Sequence, residues 1–198
     1  TGDPKSINSE IIIKTLKKIP QRIKKKIYLI SNYELLKNQF KKFHFYPKMQ
    51  KVDIFKDDIK NDRLKIINID LPFKNLSNIS FINCKRYIKK SFDLAHDISL
   101  NDKSIIGIIN CPINKKLLNN GNFGVTEYLA SKCQIKDSSE VMLIRNDKLA
   151  VSPVTTHNDL KSVSKILSKN LIVKKINTIN LYFKKIFLRK PKIAVLGL

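Results

Sequence analysis

Apolar residues along this chain switch repeatedly between helical spacing and unbroken runs, and each switch marks a predicted element. Ile11, Leu16 and Ile19, with Ile12 beside them, form a helical stripe that Pro20 closes, because proline lacks the N–H and clashes with the preceding turn. Ile27 to Ile30 predicts a buried strand, and Leu36, Phe40 and Phe43 share one face of a helix over Tyr33 to Phe43. Strands are expected at Val52 to Phe55 and Leu64 to Ile69, with Pro72 ending that region. Phe81, Ile88, Phe92 and Ala95 predict a long helix from Ile79 to Ile98. Ser104 to Asn110 is almost wholly apolar, the pattern of a strand buried on both faces of a parallel sheet.

A loop with Pro112, Gly121 and Gly124 follows, then a helix near Thr126 to Lys132 and strands at Val141 to Arg145 and Leu149 to Thr156. A helical region over Asp159 to Phe187 leads through Pro191 to an apolar run, Ile193 to Leu198, that reads as a terminal buried strand. Short β-rich runs alternating with longer helical patterns predict an α/β protein with a largely parallel sheet.

Composition narrows the function classes. The chain has 198 residues, 42% of them hydrophobic, enough to bury a core. The net charge is +23, which raises a nucleic-acid or anionic-membrane partner. The lysines, however, are scattered through every segment and fall mostly on polar faces. Aromatics do not interleave with them for base stacking, and no zinc-finger or ribonucleoprotein motif is present. A basic nucleic-acid-binding protein is therefore the weaker alternative. Cys84, Cys111 and Cys133 are too widely spaced for a disulfide framework or a cysteine-rich zinc site, so a reducing cytoplasm is the expected location. No apolar run approaches the ~18 residues of a membrane span, and the opening carries no signal-peptide core. The absence of an initiator Met and the apolar final run lead us to expect a segment of a longer protein.

In open α/β sheets, ligands collect at the carboxyl ends of strands. Three places fit: the opening turn Gly2-Asp3-Pro4, the loop from Cys111 to Glu127, and the strand end Thr155-Thr156-His157. His157 directly follows an apolar strand, a position suited to a metal ligand or an acid–base group, though a hydrogen-bonded loop histidine has the same signature. His44, in an aromatic patch, and His96, on a helix, read as structural. Thr126 either caps the helix it opens or offers its hydroxyl to an anionic group. Lys115 is a candidate counter-charge for phosphate. The chain has no dinucleotide glycine fingerprint, no Walker loop and no nucleophile elbow.

Five landmarks then occur in order: Gly2-Asp3-Pro4 with Ile7 and Glu10; Pro112-Ile113-Asn114-Lys115; Gly124 with Thr126-Glu127-Tyr128-Leu129-Ala130; Thr155-Thr156-His157; and the run from Lys192 to Leu198. Together they resemble the 4-hydroxythreonine-4-phosphate dehydrogenase family of vitamin B6 biosynthesis. The resemblance implies the three-layer α/β/α architecture of isocitrate and isopropylmalate dehydrogenases, with residues 1–198 forming the N-terminal part of a two-lobed fold. It implies NAD-dependent oxidation of 4-phosphooxy-L-threonine, followed by decarboxylation, on the route to pyridoxal phosphate. A homodimer and a divalent metal are implied as well, zinc first, with magnesium or cobalt as alternatives.

Carried over position by position, His157 is the first of three metal histidines, Thr126 a substrate contact, and Lys115 a possible phosphate contact. Val125 stands where the family has a substrate-binding histidine. Lys5, Ser6, Asn8 and Ser9 replace Ala, Gly, Gly and Pro of the opening turn, and Asn110 and Cys111 replace further usual residues. The later metal histidines lie beyond Leu198, so this segment alone is expected to be inactive. A homologue with an altered substrate, or one that has lost catalysis, is the alternative within the fold.

Overall fold

The computed structural model describes residues 2–53, 62–75, 78–119, 124–135, 139–156 and 158–197. The chain forms two compact units, Thr1–Val125 and Thr126–Leu198.

The first unit is built on a parallel three-stranded sheet of β1 (Tyr28–Ser31), β2 (Met49–Lys51) and β3 (Leu64–Asn68), in the order β1-β3-β2. Side chains of a strand alternate between its two faces, and β3 uses both. Leu64 and Ile66 enter a cluster with Ile12, Ile13 and Leu16 of α1 (Asn8–Lys18). After Pro20 and the short α2 (Gln21–Lys24), α3 (Tyr33–Lys42) adds Leu36 and Phe40 to the same cluster. Ile67, on the opposite face, packs with Val52 and with Ile98 of α4 (Phe81–Asn101). The unit is thus helix, sheet, helix: the parallel sheet is the one the alternating pattern predicts, and the layering is the one the resemblance implies. Lys65 is the buried polar residue of β3. Its Nζ donates to the Lys25 carbonyl and lies 4.3 Å from the Tyr28 ring centre, and burial holds its pKa below the usual lysine value.

Polar caps join the helices to the sheet. Asn32, just after β1, accepts from the Leu35 N–H at 2.9 Å and donates through Nδ2 to the Ile69 carbonyl at 2.9 Å. One side chain therefore caps α3 and ties it to the end of β3. Its own N–H donates to the Tyr87 hydroxyl at 3.1 Å, and that hydroxyl also pairs with Ser31 Oγ at 3.0 Å. Ser80 caps α4 by accepting from the Asn83 N–H.

The end of α3 uses a left-handed residue. His44 has φ 50°, its N–H donates to the Lys41 carbonyl, and the Phe45 N–H reaches back to the Phe40 carbonyl at 3.0 Å. This is the closure that normally takes glycine, which meets no Cβ penalty at positive φ. The chain has only 5 glycines, and places Gln134 and Leu188 at positive φ as well. His44→Gly is expected to stabilise the first unit by about 1 kcal/mol, provided the imidazole contributes no offsetting contact. A thermal melt that fell, or did not move, would count against this account of the turn.

From Thr126 onward the second unit takes in the rest of α6 (Val125–Lys132), then an antiparallel hairpin of β4 (Ile144–Arg145) and β5 (Ala150–Val151), α7 (Leu160–Ile166) and α8 (Lys169–Phe187). The four-residue α5 (Lys116–Asn119) belongs to the first unit, where it packs against α4. The expected helical region from Asp159 to Phe187 is broken at Leu167-Ser168, because Ser168 Oγ accepts from the Leu171 N–H and starts a new helix. The two strands expected around it shrink to the hairpin, whose turn is held by Asn146 Oδ1 accepting from the N–H groups of Lys148 and Leu149. Among the described residues no helix is long and apolar enough to cross a membrane.

Several expectations are corrected. Ser104 to Asn110 joins no described ladder; Ile106 and Ile109 are 103% and 90% exposed, and only Ile105 reaches the cluster around Ile67. Residues 193–197 likewise join none, with Val195 and Leu196 exposed; Leu198 lies outside the described residues. An apolar run records a demand for burial, but a strand also needs a neighbour whose N–H and C=O groups complete the ladder. Strand β2 precedes the expected Val52 to Phe55, and Phe55 lies outside the described residues. Phe43 and Phe81 face solvent because both sit at helix ends, Phe43 just past the buried Leu36 and Phe40 of α3 and Phe81 ahead of the buried Cys84, Tyr87, Ile88, Phe92 and Ala95 of α4.

Candidate functional site

Two of the three sequence candidates converge in the first unit. The opening turn lies against the Cys111-Pro112 segment: the Asp3 N–H donates to the Pro112 carbonyl at 3.3 Å, and Asn8 Nδ2 donates both to that oxygen and to the Asp3 carbonyl, each at 3.0 Å. Gln39 Nε2 holds the same turn from α3 through the Pro4 carbonyl at 2.8 Å. A small cleft beside it is lined by Asp3, Asn8, Ser9, Ser31 and Tyr87. It sits at the carboxyl end of β1, where parallel sheets present ligands. Cys84 lies buried nearby, and burial, with a smaller contribution from Asp3, pushes its thiol pKa up, so it stays protonated.

A larger cleft of about 490 Å³ opens within the second unit. Thr155, Thr156 and Asn158 line it, with Glu127 of α6, Ser168 at the start of α8, and Lys174. Thr155 and Thr156, which lie past β5 rather than at the end of a strand, therefore share one concavity with part of the α6 motif. Lys175, also on its wall, donates from Nζ to the Glu140 carbonyl at 2.6 Å. The cleft combines hydroxyl donors, carboxylates and ammonium groups, a mixture suited to a small polar ligand that carries both charge and hydroxyls.

The individual predicted residues fall as follows. Helix α6 begins at Val125, one residue earlier than expected, so Thr126 lies in its first turn rather than at the capping position. Val125 and Thr126 are both partly buried. Lys115 is exposed and immediately precedes α5; Leu117 and Leu118, just beyond it, are buried. His157 lies outside the described residues. His44 makes the α3 closure, and His96 is buried on α4 with Nδ1 3.5 Å from Asp97. Among the described residues no group of three or more His, Cys, Asp or Glu side chains converges as a metal donor set. Sequence reasoning missed Asn8, Gln39 and Tyr87, because asparagine, glutamine and tyrosine at helical spacing carry no pattern distinct from a solvated or core face.

Residues 13–198 match the family described as pyridoxal phosphate biosynthetic protein PdxA. The chain is 31% identical to the 4-hydroxythreonine-4-phosphate dehydrogenase of Sulfurihydrogenibium sp. (strain YO3AOP1), over an alignment covering 100% of this chain and 61% of that protein. It is 30% identical to the enzyme of the same name from Aquifex aeolicus (strain VF5), covering 100% of this chain and 60% of that protein. The chain thus spans roughly three-fifths of the length of these relatives. The crystal structure of 4-hydroxythreonine-4-phosphate dehydrogenase from Klebsiella pneumoniae superposes with a TM-score of 0.77 at 20% identity, over 93% of this chain and 57% of that one. That likeness establishes a shared fold.

Proposed function

The chain belongs to the pyridoxal phosphate biosynthetic protein PdxA family, and on that premise we propose that the protein is an NAD-dependent oxidoreductase acting on 4-phosphooxy-L-threonine or a close phosphorylated hydroxy acid. The observation that carries the reading is the family match over residues 13–198, which takes in four of the five sequence landmarks. The clustering of Thr155, Thr156 and Glu127 around one cleft supports it. In this reading the protein has the two-lobed architecture of isocitrate and isopropylmalate dehydrogenases and works in the cytoplasm as a homodimer.

When bound, the nicotinamide supplies the hydride acceptor. The chain's own residues bind and orient the substrate. Thr126 offers a hydroxyl beside the first-turn N–H groups of α6, which carry partial positive charge and suit an anionic substituent. Lys115, solvent-facing before α5, is available to a phosphate. The metal enters this proposal through His157 alone, since the described residues assemble no donor set.

A direct assay tests the reading: the full-length protein, NAD, zinc and 4-phosphooxy-L-threonine, with NADH formation followed over time. Substrate-dependent NADH that disappears on chelation is the expected result. A folded, metal-loaded protein producing none above background would sink the enzyme reading. It would favour the alternative of a family member without catalysis, for which Val125 in place of a histidine is the motivating feature.

A further inference from the structure

The opening turn and the Pro112 segment are more than a hundred positions apart in the sequence, and the Asn8 side chain holds them together beside a longer bond from the Asp3 N–H to the Pro112 carbonyl. Asn8 is the first residue of α1 and is 8% exposed. Both protons of its amide are used, one on the Asp3 carbonyl and one on the Pro112 carbonyl, at 3.0 Å each. This fixes the amide's orientation, because a flipped group would set its oxygen against two carbonyl oxygens. Its Oδ1 is buried without a partner among the described residues. The contact is also close-packed: a Cβ added to Gly2 would stand 2.6 Å from the Pro112 oxygen and 3.0 Å from Cys111 Cβ, and would meet Asn8 Nδ2. Only a glycine lets the turn approach this near.

The segment beyond Pro112 is anchored at its far end too. Asn114 Oδ1 accepts from the Lys116 N–H at 3.1 Å, the Asn114 carbonyl accepts from the Leu117 N–H at 2.9 Å, and Leu117 and Leu118 are buried. Lys115 therefore sits on a short span pinned at both ends, with Asn8 the upstream pin. We propose that Asn8 is a positioning residue whose side-chain amide sets the path of residues 112–115 and so places the Lys115 ammonium for a substrate phosphate. The inference rests on the proposed reading of Lys115 as a phosphate contact. It gives Asn8 a role that its sequence, a departure from a glycine-rich turn, does not suggest.

Asn8→Asp is the sharpest test, since it keeps the shape and replaces the donor by an acceptor facing two carbonyls. Asn8→Ala serves as a second variant should the aspartate protein fail to fold. Inorganic phosphate is the probe, its affinity read by NMR titration in wild type, each Asn8 variant, Lys115→Ala and the double variant. Amide exchange at Asp3 and Leu117 reports the tether itself.

The Asn8 variants are expected to weaken phosphate about tenfold, as Lys115→Ala does, with the double variant no weaker than either single one. The Asp3 amide should exchange faster while Leu117 stays protected. With the phosphorylated substrate, KM should rise while kcat holds, whereas a merely structural loss would lower the active fraction. Wild-type phosphate affinity in both Asn8 variants, or losses that multiply with Lys115→Ala, would overturn the proposal. So would a wild-type protein that takes up no phosphate, which would also remove Lys115 from the functional reading. Absent turnover with the phosphate results as expected would leave the positioning role standing and bring down the enzyme reading alone.

Discussion

Replacing Phe40 with alanine is expected to destabilise the first unit by about 4 kcal/mol, a large share of the ~5–15 kcal/mol that holds a typical domain folded. Phe40 is 1% exposed and fills the space between α1, α3 and β3, against Ile12, Ile13, Leu36 and Ile66. Its ring also meets Phe45 edge to face, with centroids 5.3 Å apart. Truncation therefore removes buried apolar area, leaves a cavity that rigid neighbours on three elements cannot close, and deletes the aromatic contact across the α3 closure.

The consequence reaches the site. Gln39, the adjacent residue, holds the opening turn through the Pro4 carbonyl, so loosening the end of α3 frees the turn that Asn8 ties to Pro112. Urea denaturation measures the effect, with the midpoint falling and the slope unchanged. A loss of less than about 1 kcal/mol would mean that the cluster repacks and that α3 is not rigidly seated.

Much of the first unit is legible in the chain, and the reason is periodicity. Ile12 and Leu16 in α1, Leu36 and Phe40 in α3, and Ile88, Phe92 and Ala95 in α4 all follow the predicted stripes into the core. The alternation in β3 places one set of residues on each face. What periodicity lacks is partner identity. Ser104 to Asn110 has the apolar density of a central strand, yet pairs with no described neighbour. The same holds for residues 193–197.

The candidate sites divide along a similar line. The sequence singles out Thr155 and Thr156 as the end of a strand in a parallel sheet, yet they lie beyond β5, a two-residue strand of an antiparallel hairpin, and reach the cleft from a bend instead. Asn8 was not readable. From sequence it is a lost glycine; in three dimensions its amide joins segments that no local rule connects. Capping follows a middle course: Asn32 before a helical pattern is a recognisable signal, but its second bond, to Ile69, depends on the sheet.

On the proposed function, replacing Val125 with histidine in the full-length protein is expected to raise kcat/KM for 4-phosphooxy-L-threonine by about a hundredfold, the lower end of what a positioned proton donor or acceptor contributes. Val125 is the first residue of α6 and partly buried, beside Thr126. A valine there neither donates a hydrogen bond nor carries a proton. An imidazole at a helix start is biased toward its neutral form by the N-terminal partial charge, and a neutral ring can donate through one nitrogen to a substrate oxygen near neutral pH. The gain should therefore fade as pH drops and the ring protonates. A hundredfold gain that titrates in this way would mean the rest of the site is intact and the valine is its limiting defect. An unchanged kcat/KM, with Thr126→Ala lowering it, would mean the site already performs its proton transfer through another group. A fall would point elsewhere: an apolar wall at 125 would then be part of recognition, and the natural substrate would differ from 4-phosphooxy-L-threonine at the group that meets it.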